Sequence, residues 1–374
     1  MVSGLREFDS NRASENARAI SFPRETGSKG ERQAADFIAK RFRDLGLDVK
    51  EEEFTLFFSP WFLLKIGLII GFILLLLSRL LVNSHPVIAS LVIFVLMVAM
   101  LFTGPMWQWF GRRGIKNPWG KDRRSKNIIA RFPEPETSSG QALYLMAHYD
   151  SKSQSLSLGG RIILISATVA GCLLLGLTYL LQARGSVNII VQDGIFLFVT
   201  VSTVILFLNR TDNLSPGGID NAGSIGLLLE LAEILGKNLP KKINVTFIAT
   251  GAEEEGLMGA YAFLNAHRDE LNSERTLILN FDGIGIKGKL RLFSKIKGLP
   301  ETLSRLPSLP TFSGLMMDHI PFKSEGFKAV TLACVSKEAF KIHTERDTID
   351  LISPEGIGET EGVILDVIKE LESV

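Results

Sequence analysis

The stretch "KKINVTFIATGAEEEGLMGAYAFLNAHRDEL", residues 241–271, decides how this chain is read. It opens on an apolar run rich in β-branched residues, Ile243 to Thr250, which reads as a buried strand. It closes on apolar residues at helical spacing. Between the two stand Glu253, Glu254 and Glu255. Acidic triplets ordinarily lie on solvated surface, so one at the end of a buried strand needs a reason.

The same alternation runs outward in both directions. "ERQAADFIAKRFRDLGLDV" (31–49) reads as a helix stopped at Gly46 and followed by a strand. "SKNIIARF" (125–132), "QALYLMAHYD" (141–150), "RTLILNFDG" (275–283) and "KAVTLACVS" (328–336) read as strands. "DNAGSIGLLLELAEILGKN" (220–238) reads as a helix with an acidic front and Gly236 at its back, and "SPEGIGETEGVILDVIKELESV" (353–374) as a closing helix. This pattern predicts an α/β fold, a mostly parallel mixed sheet with helices on both faces. In such sheets the site lies beyond the carboxyl ends of the strands. Those ends carry His148 and Asp150, then Glu253 and Glu254, then Asp282, and His343 after the last strand; Asp220 stands at the front of its helix. Carboxylates and imidazoles without thiolates suit zinc, with cobalt or manganese as substitutes. Without metal, Asp220, Glu254 and Asp282 would repel one another, whereas two divalent cations and a hydroxide bring them and the two imidazoles to roughly zero charge. His85 and His267 read as bland, the latter on a solvated helix face.

The 374 residues carry a net charge of +1, which gives no electrostatic case for a nucleic-acid partner. Cys172 in a long apolar run and Cys334 in a core strand predict no disulfide and a reducing location for the soluble part. The opening "MVSGLREFDSNRASENARAI" lacks the features of a signal peptide. Hydrophobicity concentrates in four runs, 62–83, 86–105, 161–182 and 189–209, each near the roughly 20 residues of a bilayer span. The fourth is interrupted by Gln192 and Asp193, leaving a short core from Ile195. Short loops, 83–86 and 183–188, join the runs into two transmembrane hairpins. The expected organisation is a catalytic domain in three parts, 1–58, 111–160 and 210–374, with hairpins at 59–110 and 161–209. Segment 112–126 holds seven Lys/Arg against one Asp, and Trp61, Trp107 and Trp109 mark an aromatic belt; the positive-inside rule puts the catalytic domain of this four-span protein in the cytoplasm. The linker 151–160 reaches at most roughly 35 Å, so the catalytic face is expected toward the membrane.

"MAHYDS", "GGIDNAGSIGLLLELAEIL", "TGAEEEGLMGA", "NFDGIG", "DHIPF" and "IHTERDTID", with "FPRETGSKGERQAADFIAKRFRDLGLDV" near the start, resemble the two-zinc aminopeptidase family. That family also contains glutamate carboxypeptidase, glutaminyl cyclase and the transferrin receptor ectodomain. The resemblance covers nearly all the sequence outside the apolar runs. It implies that Asp220 bridges two metals, with His148 and Asp282 on one and Glu254 and His343 on the other. Glu253 would be the general base, Asp150 would accept the imidazole N–H of His148, and Asp220–Asn221 would be cis. Glu255 would be the dispensable, solvent-facing glutamate. Some relatives carry a Tyr shortly before "DH"; "TFSGLMMDH" (311–319) has none, leaving His319 as a candidate oxyanion or substrate contact, and Gly259–Ala260 replaces the family's "GS". The implied function is a membrane-embedded di-zinc exopeptidase, first of all an aminopeptidase acting on peptides. A one-zinc glutaminyl cyclase-like acyltransferase and a carboxypeptidase are the alternatives, and a non-catalytic receptor or scaffold domain is the least favoured. Partners are then a peptide and the lipid bilayer; the oligomeric state is not legible.

Overall fold

The computed structural model describes residues 9–56, 60–113, 123–133, 140–310 and 315–373. The chain divides into two compact units, one of Met1–Phe57, Gly111–Ser153 and Asp212–Val374, the other of Phe58–Phe110 and Gln154–Thr211.

The strands are β1 (Asp48–Thr55), β2 (Arg124–Arg131), β3 (Gln141–His148), the two-residue β4 (Ser153–Gln154) and β5 (Thr211–Asp212), β6 (Ile243–Thr250), β7 (Thr276–Phe281), β8 (Lys289–Phe293), β9 (Ser308–Leu309) and β10 (Lys328–Val335). Eight of them form the central sheet of the first unit, in the order β1-β2-β6-β3-β7-β10-β8-β9. Its middle strands β6, β3, β7 and β10 are mutually parallel. β2 and β8 join them antiparallel, and β1 joins β2 antiparallel.

The two-residue period of a strand sends alternate side chains to opposite faces. Leu143, Leu145, Ala147, Phe247 and Leu279 face one core with residues of the helices Ser10–Ile20, Lys29–Asp44, Gly223–Lys237 and Pro354–Ser373. Tyr144, Met146, Ile248 and Ile278 face a second core with the helices Met258–His267 and His319–Ser324. Both faces being covered, the middle strands read as continuous apolar runs.

Three details differ from the sequence reading. The helix Gly223–Lys237 begins three residues after Asp220, runs through Gly236 and is capped by Asn238; a five-residue turn, Gly218–Ala222, precedes it. The helix Ser10–Ile20 was not foreseen, since its burial rests on small residues, Ala13 and Ala17, with only Ile20 large. His267 is buried rather than solvated: its ring stacks on Phe263 with centroids 4.4 Å apart, and its nitrogens lie 2.8 Å from Glu270 Oε2 and 3.0 Å from Glu52 Oε1. Both cysteines are free and buried.

The second unit is helical. Trp61–Leu81, Leu158–Gln182 and Ile189–Leu208 are long and apolar enough to cross a membrane, with mean hydropathies of 2.4, 2.1 and 2.1. The second apolar run ends sooner than its sequence suggested. Its helix, Pro86–Leu101, has 16 residues, gives way at Phe102, and is followed by a separate helix, Thr103–Arg113. At 1.5 Å per residue it is roughly 24 Å long, short of a hydrocarbon core of about 30 Å. Gln192 and Asp193 do not break the fourth run, because Gln192 is buried and Asp193 pairs with Arg79 Nη2 at 2.8 Å. Ser90 Oγ donates to the Gly176 carbonyl at 3.0 Å, and Leu75, Ile93, Leu175 and Val199 form the unit's core.

Candidate metal centre

Parallel strands end on one side of a sheet, so the residues beyond them share an edge. His148 closes β3 opposite Thr250 of β6, and Asp282 follows β7 directly. The Glu253–Glu254 turn lies just beyond β6, and Asp220 and His343 join these residues. His148 Nε2 is 2.9 Å from Asp220 Oδ1 and 4.0 Å from Asp282 Oδ1. His343 Nε2 is 3.1 Å from Asp220 Oδ2 and 2.9 Å from Glu254 Oε1. The ligand-type atoms of His148, Asp220 and Asp282 lie within 4.8 Å of one another, as do those of Asp220, Glu254 and His343. The two trios share Asp220, with one of its oxygens beside each histidine.

These residues fit metal ions. His148 Nε2 and Glu254 Oε1 are buried, and each faces another ligand-type atom of its own trio, Asp220 Oδ1 and His343 Nε2, at 2.9 Å. Buried nitrogens and carboxylate oxygens gathered against one another in this way are the donor set of a cation site. Imidazole nitrogens and carboxylate oxygens converging without a thiolate match zinc.

The backbone around the trios is unusual in several places. The Asp220–Asn221 peptide is cis. Ala252, Leu257 and His343 adopt φ of 55°, 63° and 64°, a left-handed region that non-glycine residues seldom occupy and that recurs at functional sites. The glutamate turn closes through the Gly256 and Leu257 N–H groups, which donate to the Glu253 carbonyl at 2.8 and 2.7 Å. A Cβ on Gly259 would fall 2.2 Å from the Gly251 carbonyl, so only glycine lets the helix start this close to the strand end.

Burial raises Asp282 to about 7, reinforced by Asp220, and raises Glu253 well above the carboxylate range, opposed by His148 and reinforced by Glu254 and Asp318. Burial also opposes ionisation of Asp220, but hydrogen bonds from His148 and His343 win and hold it well below. Glu254 is lowered too: His343 and Lys152 outweigh its burial. Burial works against charge on His148 and His343, yet the carboxylates around them raise both.

Asp150 does more than orient His148. Its carboxylate accepts the N–H groups of Glu253 at 3.0 Å and Glu254 at 3.2 Å and the Thr26 hydroxyl at 3.0 Å. His148 Nδ1 is nearer the Asp150 backbone oxygen, at 3.2 Å, than its carboxylate, at 3.5 Å. His319 lies outside both trios: it is buried, burial lowers it to about 3, and its Nδ1 sits 2.7 Å from Thr331 Oγ1. Residues 311–314, part of the stretch without the tyrosine that some relatives carry, lie outside the described residues. Glu255 is not solvent-facing. It is 6% exposed and pairs with Arg123 Nη1 at 2.9 Å, while Arg123 Nη2 donates to the Thr26 carbonyl. The turn folds this side chain inward, onto a cation that the sequence places 132 residues away.

Four further residues support the site. Arg24 is fully buried and donates to the carbonyls of Tyr149 at 2.6 Å, Pro216 at 2.6 Å and Gly217 at 3.1 Å, tying the His148 and Asp220 segments together. Asp347 accepts the N–H groups of Ile219 at 2.6 Å and Asp220 at 3.2 Å. Asp318 accepts the Thr250 hydroxyl at 2.5 Å, at the end of β6. Lys152 Nζ stands 2.5 Å from Glu254 Oε2. Lys152, Asp318 and Asp347 lie inside "HYDSK", "DHIPF" and "IHTERD", which was the available signal; Arg24 has no periodic or strand-end signature.

Residues 127–368 match the model of peptidase family M28, and the chain belongs to that family. It is 39% identical over 87 residues to the alkaline phosphatase isozyme conversion protein of Escherichia coli, covering 23% of this chain and 25% of that protein. It is 26% identical over 174 residues to aminopeptidase YwaD of Bacillus subtilis, covering 42% of this chain and 38% of that one. The matches thus span well under half of either curated relative. Among solved structures, a zinc aminopeptidase from Bacillus subtilis shares the fold at a TM-score of 0.56 and 15% identity, over 98% of this chain and 95% of that one. A glutaminyl cyclase from an Acidobacteriales bacterium does so at 0.57 and 15%, over 100% and 98%.

Proposed function

We propose that the chain is a membrane-embedded di-zinc exopeptidase, an aminopeptidase that removes N-terminal residues from peptides. The observation that carries this reading is the pair of ligand trios sharing Asp220. His148, Asp220 and Asp282 would hold one ion, and Asp220, Glu254 and His343 the other. Bound there, two zinc ions would polarise the scissile carbonyl and lower the pKa of water. Glu253 is the general base: it takes the water proton and passes it to the leaving amine. Burial raises its pKa above the ordinary carboxylate range, which makes the ionised carboxylate a stronger base for the water proton. Asp150 fixes the Glu253–Glu254 backbone, so base and ligand keep their spacing. The apolar helices would anchor the protein in a bilayer as two hairpins, local thinning of the bilayer accommodating the short Pro86–Leu101 helix, with the catalytic unit on the side of the Lys/Arg-rich segment 112–126, of which 114–122 lie outside the described residues. Cobalt or manganese would substitute for zinc.

The test is a panel of free and N-acetylated peptides given to the zinc-loaded full chain in detergent. Release of the first residue from free peptides alone supports the reading. Release from the carboxyl end, or cyclisation of N-terminal glutamine without hydrolysis, replaces it with one of the alternatives.

A further inference from the structure

Lys152 is the one lysine or arginine whose ion pair with a metal-trio carboxylate is seen among the described residues, and the proposed chemistry gives it no task. It is buried; its ammonium is 2.5 Å from Glu254 Oε2 and 3.4 Å from the Glu254 carbonyl oxygen. The other carboxylate oxygen, Oε1, is the one beside His343, whose Nε2 is 2.9 Å away. The two oxygens of Glu254 are therefore divided between a fixed cation and the trio. Among the described residues no lysine or arginine is seen paired with Asp282, whose raised pKa reflects burial and the neighbouring Asp220, opposed by His148.

We propose that Lys152 is a positioning residue that restricts Glu254 to one ligand oxygen and makes the Asp220/Glu254/His343 site the weaker of the two metal sites. This deepens the two-metal reading and rests on it. Two physical effects act in the same direction. The ammonium withholds Oε2, so Glu254 cannot chelate an ion through both oxygens. It also places a unit charge a few Å from any divalent ion in that trio, a repulsion that the low-dielectric surroundings leave poorly screened. The two sites should then fill in sequence, His148/Asp220/Asp282 first.

The test titrates Co²⁺, followed by its visible absorption, and Zn²⁺, in competition with a chromophoric chelator, into the metal-free full chain in detergent. The variants are Lys152→Met and Lys152→Arg, each also made in an Asp282→Ala background that leaves the Glu254 trio as the intact site. The wild type should bind in two separated steps. Lys152→Met should tighten the weaker step by about ten- to a hundredfold, the order expected on removing a nearby unit charge. The same gain should appear between Asp282→Ala and Asp282→Ala/Lys152→Met, while Lys152→Arg, which keeps the charge, should show little of it. Circular dichroism of each metal-free variant checks that it has folded; a folded Lys152→Gln replaces Lys152→Met if the latter has not. Equal or weaker binding in Lys152→Met, or an equal gain in Lys152→Arg, overturns the proposal. A wild type that binds one ion in a single step overturns instead the two-metal reading beneath it.

Discussion

Replacing Asp150 separates its two jobs. Its carboxylate receives the Glu253 N–H, the Glu254 N–H and the Thr26 hydroxyl, all buried. Asp150→Ala leaves both backbone donors without an acceptor, and each such orphan costs about 1–3 kcal/mol. The expected loss is therefore about 2–6 kcal/mol, a large share of a typical stability of about 5–15 kcal/mol. Asp150→Asn is milder: its oxygen can keep Oδ1's bond to Glu253, and Thr26 can turn to accept from the new amide. Only the Glu254 N–H then faces a donor, for about 1–3 kcal/mol. Metal affinity should fall in the same order, by about 10- to 100-fold, because the turn carrying Glu254 loses its anchor. Thermal unfolding of detergent-solubilised protein with and without Zn²⁺, with chelator competition on the same samples, reads both. If Asp150→Ala matched the wild type in stability and zinc affinity, the anchoring role would be wrong. If Asp150→Asn were worse than Asp150→Ala, the hydrogen-bond assignment would be wrong.

Glu253→Gln should retain both zinc ions by elemental analysis and lose about 10²–10⁴-fold of peptidase turnover, whereas Glu254→Ala should lose an ion; near-full turnover in Glu253→Gln would remove Glu253 as the base. The metal-free protein should lose stability as pH rises from about 4 to about 7 and somewhat beyond. Asp282 and Asp347, raised to about 7 chiefly by burial, favour folding while protonated, and His148 and His343, raised by carboxylates, favour it while charged. For Asp282 alone the shift corresponds to on the order of 4 kcal/mol. Zinc should cancel this decline, because it binds the deprotonated ligands; a stripped protein that melted higher at about pH 8 than at about pH 5.5 would contradict this. In the helical unit, Arg79→Ala should lower the melting temperature in lipid nanodiscs more than the double change Arg79→Ala/Asp193→Ala, since the single change strands Asp193.

The sequence displayed the middle of the sheet because β3, β6, β7 and β10 are covered on both faces and read as unbroken apolar runs. Of the candidate site residues, His148, Glu253, Glu254 and Asp282 stand out for the same reason, each at or within a few residues of the end of such a run, whereas Asp220 and His343 do not follow one directly. β8 escaped notice because Lys289 and Arg291 alternate with leucines at the sheet's margin, a pattern any half-exposed loop can show. Glu255 was misjudged because a triplet carries no period, and its partner Arg123 comes close only through tertiary folding. Asp193 looked like a break in a span, but a charge on a helix face is tolerated where another helix supplies its counter-ion, as Arg79 does. Arg24 lies in the quoted stretch that opens "FPRETG", but its role is not legible there, since its partners are backbone carbonyls, which the sequence does not distinguish.

In the proposed centre His148, Asp220, Glu254, Asp282 and His343 would hold two metal ions about the shared Asp220. Zinc content per chain is the decisive readout, measured by elemental mass spectrometry on the purified full chain after dialysis against trace Zn²⁺. Two zinc ions per chain in the wild type, with one in Asp282→Ala and fewer still in Asp220→Ala, is the predicted result. One ion or none in the wild type, or an unchanged pair in Asp220→Ala, would contradict it.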